Sequence, residues 1–173
     1  MINNATPHYT VTAHPHLQIP ARDGTLLSAN LWLPEPKIPG ERFPAILEMI
    51  PYRKDDWRAN TDEQRMTYLA QRGYVCCRLD VRGTGSSLGI AYDEYTTAET
   101  QDGYDVVEWL AAQPWSNGNV GMWGISWGGF AAIQVAMLQP PHLKAIVPMY
   151  ATDDCYTDDV HYIGGCMVVS EFA

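Results

Sequence analysis

One pentapeptide limits the folds open to this chain more than any other stretch: Gly124-Ile125-Ser126-Trp127-Gly128. A short apolar run starting near Asn119 leads into it, and a long apolar segment, Phe130 to Leu138, leaves it. This order predicts a strand, a sharp turn and a helix with Ser126 at the apex, the G-x-S-x-G nucleophile elbow. The spacing has a mechanical cause. To lift the Ser126 hydroxyl clear of a sheet, the backbone must reverse within about one residue and leave as a helix. Side chains two positions to either side would then collide, so Gly124 and Gly128 carry none. Gly129 relieves the crowding further. The same turn points the first N–H groups of the helix, beginning with Trp127, at the space beside the serine hydroxyl. Those donors are unpaired within the helix and sit at its positive end, where a developing oxyanion is stabilised.

Upstream, Leu17 to Ala21 and Thr25 to Leu33 read as two strands joined across Arg22-Asp23-Gly24, a hairpin turn signal. In the second strand Leu27, Ala29, Leu31 and Leu33 alternate with Ser28, Asn30 and Trp32, which predicts one buried face. Apolar runs at Pro44 to Ile50, Tyr74 to Leu79 and Leu143 to Tyr150 have the length and composition of buried strands, the first that of a central strand covered on both faces. Between them, Asp62 to Arg72 and Thr97 to Ala112 read as helices. The second buries Val106, Val107 and Leu110 and carries Glu99 and Asp102 in its first turns, where the helix dipole favours acids. Alternation of this kind implies an α/β fold, a mostly parallel sheet with helices on both faces. Residues 1–150 make up that unit. From 151 to 173 the character changes to loop and short helix.

With 46% hydrophobic and 18% charged residues among 173, the composition is that of a folded domain large enough for a real core. The net charge of −9 and the lack of a basic block make nucleic acid and anionic membranes poor partners. No apolar leader or span is present in the sequence, so a cytoplasmic protein is expected. Neither the four cysteines nor His8, His14 and His16 show metal-ligand spacing, and no cofactor is expected. Four aspartates near His161 (Asp153, Asp154, Asp158, Asp159) lack the spacing of a calcium loop. Gly83, Gly85 and Gly89 follow a strand and suggest a dinucleotide loop, but Ala91 to Tyr95 does not open a helix at once.

The polar cluster Pro51-Tyr52-Arg53-Lys54-Asp55-Asp56-Trp57 directly follows a buried strand. In open α/β sheets, ligands bind at that end of the strands. Tyr52 is thus either a surface-loop tyrosine or a hydroxyl aimed at a reacting oxygen. Taken with the elbow and with Asp80-Val-Arg-Gly-Thr-Gly-Ser86, this cluster resembles the α/β-hydrolase fold. More narrowly, the chain resembles the family that joins cocaine esterase-type hydrolases, X-Pro dipeptidyl-peptidases and α-amino-acid ester hydrolases. The run Gly118 to Gly129 and the Thr152-Asp153-Asp154 tail fit it as well. The resemblance implies that Tyr52 donates its hydroxyl to the oxyanion hole and that the backbone N–H of Trp127 is the second donor. Trp127 stands where the family often has tyrosine.

Members of that family are several times longer, and their triad runs serine, acid, histidine. The resemblance implies a helical cap after the sixth strand, with the acid and the histidine beyond it. Here the sequence reaches the start of the cap region. After Ser126 the histidines are His142, expected at the wrong end of the sheet, and His161, a candidate substitute base. Asp153 is a candidate acid. The expected function is hydrolysis of a small-molecule ester, amide or peptide through an acyl-enzyme on Ser126, by an N-terminal portion that is weakly active or inactive alone. The alternatives are a non-catalytic interaction module and, through the glycine loop, an NAD(P)-binding oxidoreductase. The last strand would expose a sheet edge, which predicts self-association.

Overall fold

A computed structural model describes residues 9–56, 59–154, 156, 157, 159 and 161–167. His8, Trp57 and Asp158, named above, and Cys155, one of the four cysteines, lie outside the described residues. Six strands form one sheet: β1 (Val11–Pro20), β2 (Leu26–Pro34), β3 (Phe43–Ile50), β4 (Val75–Asp80), β5 (Ser116–Ile125) and β6 (Leu143–Met149). Three helices lie between them: α1 (Ala59–Ala70), α2 (Thr97–Ala111) and α3 (Trp127–Met137).

The strand order is β1-β2-β4-β3-β5-β6. The first two strands are a hairpin, and β2 runs antiparallel to β4, whereas β4, β3, β5 and β6 run parallel. Parallel strands bring their C-terminal ends to one edge. Ile50 pairs with Asp80, and Ile125 pairs with Met149. The segments after β3, β4 and β5 therefore emerge side by side, and these carry Tyr52, the glycine-rich loop and Ser126.

Alternation along the strands sorts side chains into two layers. Ala45, Leu47 and Met49 face a core completed by Val106, Val107 and Leu110 of α2 and by Ala131, Ala132 and Val135 of α3. The opposite face packs Trp32 and Cys76 against Met66 and Ala70 of α1. This corrects the expectation of one buried face for β2. Trp32 and Ser28 are buried too, because α1 covers the first and Ser87 bonds the backbone beside the second, its hydroxyl accepting the Ser28 N–H at 2.8 Å. The expected short helix near the C-terminus is also corrected. Tyr162–Ile163 and Cys166–Met167 pair as a small antiparallel hairpin, β7 and β8, turned by Gly164 and Gly165 at positive φ. Cys76 and Cys77 are fully buried in β4, and burial pushes both thiols up, Cys76 to about 12, so neither is a ready nucleophile.

Candidate active site

Ser126 sits between β5 and α3 with φ 56° and ψ −118°. Residues held in such sparsely populated backbone regions cost about 1–3 kcal/mol and persist only where the surroundings over-determine them. Three backbone hydrogen bonds do so here. The Ser126 N–H donates to Met149 O at 2.9 Å, and the Ser126 carbonyl accepts from Gly129 and Phe130 at 2.8 and 3.0 Å. The glycines are needed for the reason read from their spacing. A Cβ on Gly124 would stand 2.4 Å from the Gly128 carbonyl carbon, and one on Gly129 would stand 2.8 Å from Met149 O. The Ser126 side chain makes no helix-capping hydrogen bond, and the residue is half-buried on the wall of a cavity of about 270 Å³.

Tyr52 lines the same cavity. The Trp127 N–H donates to its hydroxyl oxygen at 3.4 Å, so two of the residues picked out from sequence meet beside the third. Tyr52 is 47% exposed, with its hydroxyl turned to the site. The loop that carries it is shaped by Asp80, whose buried carboxylate accepts the Lys54 N–H at 2.6 Å and the Ser86 N–H at 2.9 Å and lies 3.6 Å from Lys54 Nζ. One carboxylate at the end of β4 thereby ties the Tyr52 loop to the glycine-rich loop. Sequence reasoning used Asp80 only as the first residue of the Asp80–Ser86 motif and gave its carboxylate no role; the signal was an acid closing an otherwise apolar run.

Deeper in the cavity lies a buried charge network that the apolar reading of β3 and β4 passed over. Glu48 and Arg78 stand directly opposite each other in the register of the two strands. Arg78 pairs with Glu48 at 3.5 Å and also with Asp62 of α1, and Arg65 reaches Asp62 at 2.7 Å and lies over the Trp123 ring at 4.4 Å. Removing one member of such a set costs about 3–5 kcal/mol, since the partner charge is left buried. Glu48 and Arg78 interrupt apolar strands, and Asp62 lies in the first turn of α1.

Glu99 and Asp102, read from sequence as dipole partners, are also buried. Asp102 holds Arg82 through two bonds of 2.6 and 2.7 Å, and Glu99 accepts the Trp127 indole N–H at 2.6 Å. Much of the glycine loop's backbone is bonded within the protein. Its N–H groups at Gly83, Thr84, Ser87 and Leu88 bond backbone carbonyls, and that of Ser86 bonds Asp80. A Cβ on Gly85 would meet Asp80 Oδ2 at 2.1 Å, so that glycine serves the Asp80 contact.

Of the two histidines after Ser126, His142 is placed far from it. His142 adjoins the start of β6, where Leu143 pairs with Val120, and its Nδ1 lies 2.7 Å from Glu108. At 3.3 Å per strand residue that is roughly 17–20 Å from the elbow. His161 packs on Tyr95 with ring centroids 6.4 Å apart, and its Nδ1 lies 3.2 Å from Glu94 and 3.8 Å from Asp159. Asp153 is exposed.

A parallel-centred sheet of this order, with a serine on a strained turn between strand and helix, defines an α/β-hydrolase fold. The chain belongs to the X-Pro dipeptidyl-peptidase family S15, whose profile matches residues 23–173. It is 32% identical to cocaine esterase of Rhodococcus sp. (strain MB1 Bresler) over 163 residues, which covers 94% of this chain and 27% of that enzyme. The crystal structure of a CocE/NonD family hydrolase from Staphylococcus aureus superimposes with a TM-score of 0.77 at 28% identity, covering 91% of this chain and 30% of that one. An α-amino acid ester hydrolase gives 0.69 at 25% identity, covering 96% and 29%. The chain thus spans under a third of the length of these relatives. Among the described residues, no helix is long and apolar enough to cross a membrane.

Proposed function

We propose that this chain carries the nucleophile and the oxyanion hole of a serine hydrolase acting on an ester or amide bond. Ser126 Oγ attacks the carbonyl carbon, and the Tyr52 hydroxyl and Trp127 N–H take the negative charge that develops on the carbonyl oxygen. The serine proton passes to a base and on to the departing alcohol or amine, and water then releases the acid from Ser126. The observation that carries this reading is the convergence of Tyr52 Oη and Trp127 N, 3.4 Å apart, beside a serine held at φ 56°. The esterase and dipeptidyl-peptidase names of the relatives support this substrate class. We place the acid and base in the part of the relatives' length that these 173 residues do not span, since His142 is held by Glu108 at the far end of β6.

A serine with oxyanion donors but no neighbouring base acylates slowly and deacylates more slowly still. With p-nitrophenyl acetate the chain should release nitrophenol in a burst approaching one equivalent, and intact mass should show an acetylated protein. Ser126→Ala should give neither. Steady turnover without a burst, unchanged in Ser126→Ala, would defeat the reading.

Self-association follows from the outer edge of β6, the end strand of the sheet, where Val147 is 55% exposed and Ala145 is open. Apolar edges of this kind pair with other strands. Light scattering should show a mass that rises with concentration and falls toward the monomer in Val147→Lys; a monomer at all concentrations would exclude pairing through this edge.

A further inference from the structure

Trp127 does two things at once. Its backbone N–H faces Tyr52, and its indole runs away from the cavity to donate to Glu99 Oε1 at 2.6 Å. The indole packs on Tyr95 with centroids 4.8 Å apart, and Tyr95 in turn packs on Phe130 at 4.9 Å. Glu99 is only 6% exposed. It lies in the first turn of α2, where its own N–H is capped by the Thr96 hydroxyl at 3.3 Å, so the acceptor is held by a helix rather than a loop.

The peptide plane between Ser126 and Trp127 carries the donor in question. Its carbonyl end is fixed by Gly129 and Phe130. Its amide end leads to the Trp127 Cα, whose side chain is anchored on Glu99. We propose that Glu99 is a positioning residue: by holding the Trp127 indole it fixes the first turn of α3 and keeps the Trp127 N–H aimed at the oxyanion space shared with Tyr52. The inference rests on the reading of Ser126 as nucleophile.

Position requires an acceptor at Glu99, not a charge. Burial pushes the Glu99 carboxyl up to about 7, against the pull of the Trp127 N–H, and the nearby acids Asp102 and Glu94 push it the same way as burial. Arg82, beside the same loop, is committed to Asp102 and Asp23. Glutamine keeps the acceptor, while alanine deletes it.

The test follows two signals in the 173-residue chain. One is the Trp127 indole N–H resonance, identified by its loss in Trp127→Phe; the other is the rate at which a fluorophosphonate labels Ser126. In the wild type the indole resonance should lie downfield and titrate with a midpoint near 7. Glu99→Ala should move it upfield, abolish the titration and slow labelling by about tenfold, part of the about 10²–10³-fold loss seen when an oxyanion donor is removed outright. Glu99→Gln should keep the downfield position without titrating and recover most of the rate. Trp127→Phe, which keeps a ring on Tyr95 but has no indole donor, should match Glu99→Ala, and the double variant should lose nothing more. A labelled wild type with Glu99→Ala and Trp127→Phe labelled equally fast overturns the positioning role. A wild type that is never labelled overturns the hydrolase reading itself, and this role with it.

Discussion

Replacing Gly124 with alanine is expected to cost about 3 kcal/mol of folding free energy or more and to remove the reactive serine geometry. Overpacking is tolerable when the obstacle is a flexible side chain. Here the new methyl would meet backbone, 2.4 Å from the Gly128 carbonyl carbon. Gly128 has no room to retreat, since its own Cβ position lies 3.0 Å from Met49 O on β3. Relief would require α3 to lift from the sheet, which uncovers Ala131, Ala132 and Val135 from the core. Gly121, on the same strand, is the control. Its nearest neighbour to an added methyl is 3.6 Å away, ordinary contact, so Gly121→Ala should change stability by less than about 1 kcal/mol. Urea unfolding of both variants checks the contrast. A Gly124→Ala midpoint equal to that of Gly121→Ala would mean that the tight turn is not what the glycine spacing serves.

The second large effect is on rate rather than stability. Tyr52→Phe should slow phosphonylation of Ser126 by about 10²–10³-fold, the usual consequence of removing one oxyanion donor. The fold should be indifferent, within about 0.5 kcal/mol, because Tyr52 is a half-exposed loop residue and only its hydroxyl is removed. A stability-neutral loss of this size would separate an oxyanion donor from a loop tyrosine. An unchanged rate would return Tyr52 to the surface-loop reading that its sequence position alone left open.

Much of the fold was legible because each signal was local. Apolar runs of strand length and the buried stripe Val106, Val107 and Leu110 of α2 are read over a few residues. The strand, turn and helix around Ser126 were legible for the same reason, since they lie in one continuous stretch. Charges with distant partners were not legible. Glu48 faces Arg78 across two strands that are thirty residues apart in sequence, and Glu99 meets Trp127 across two helices. Each was given a nearby explanation, an apolar strand or a helix dipole, because pairing that depends on sheet order leaves no trace in local spacing. The second face of β2 was missed likewise: alternation marks which residues point together, not whether a helix arrives later to cover them.

The central claim is that Ser126 is the reactive group of this chain. Peptide mass mapping after fluorophosphonate treatment tests it most directly. The adduct should fall on the peptide that contains Ser126, form more slowly in Tyr52→Phe and vanish in Ser126→Ala. No adduct, an adduct on a different serine, or equal labelling of Ser126→Ala would contradict it.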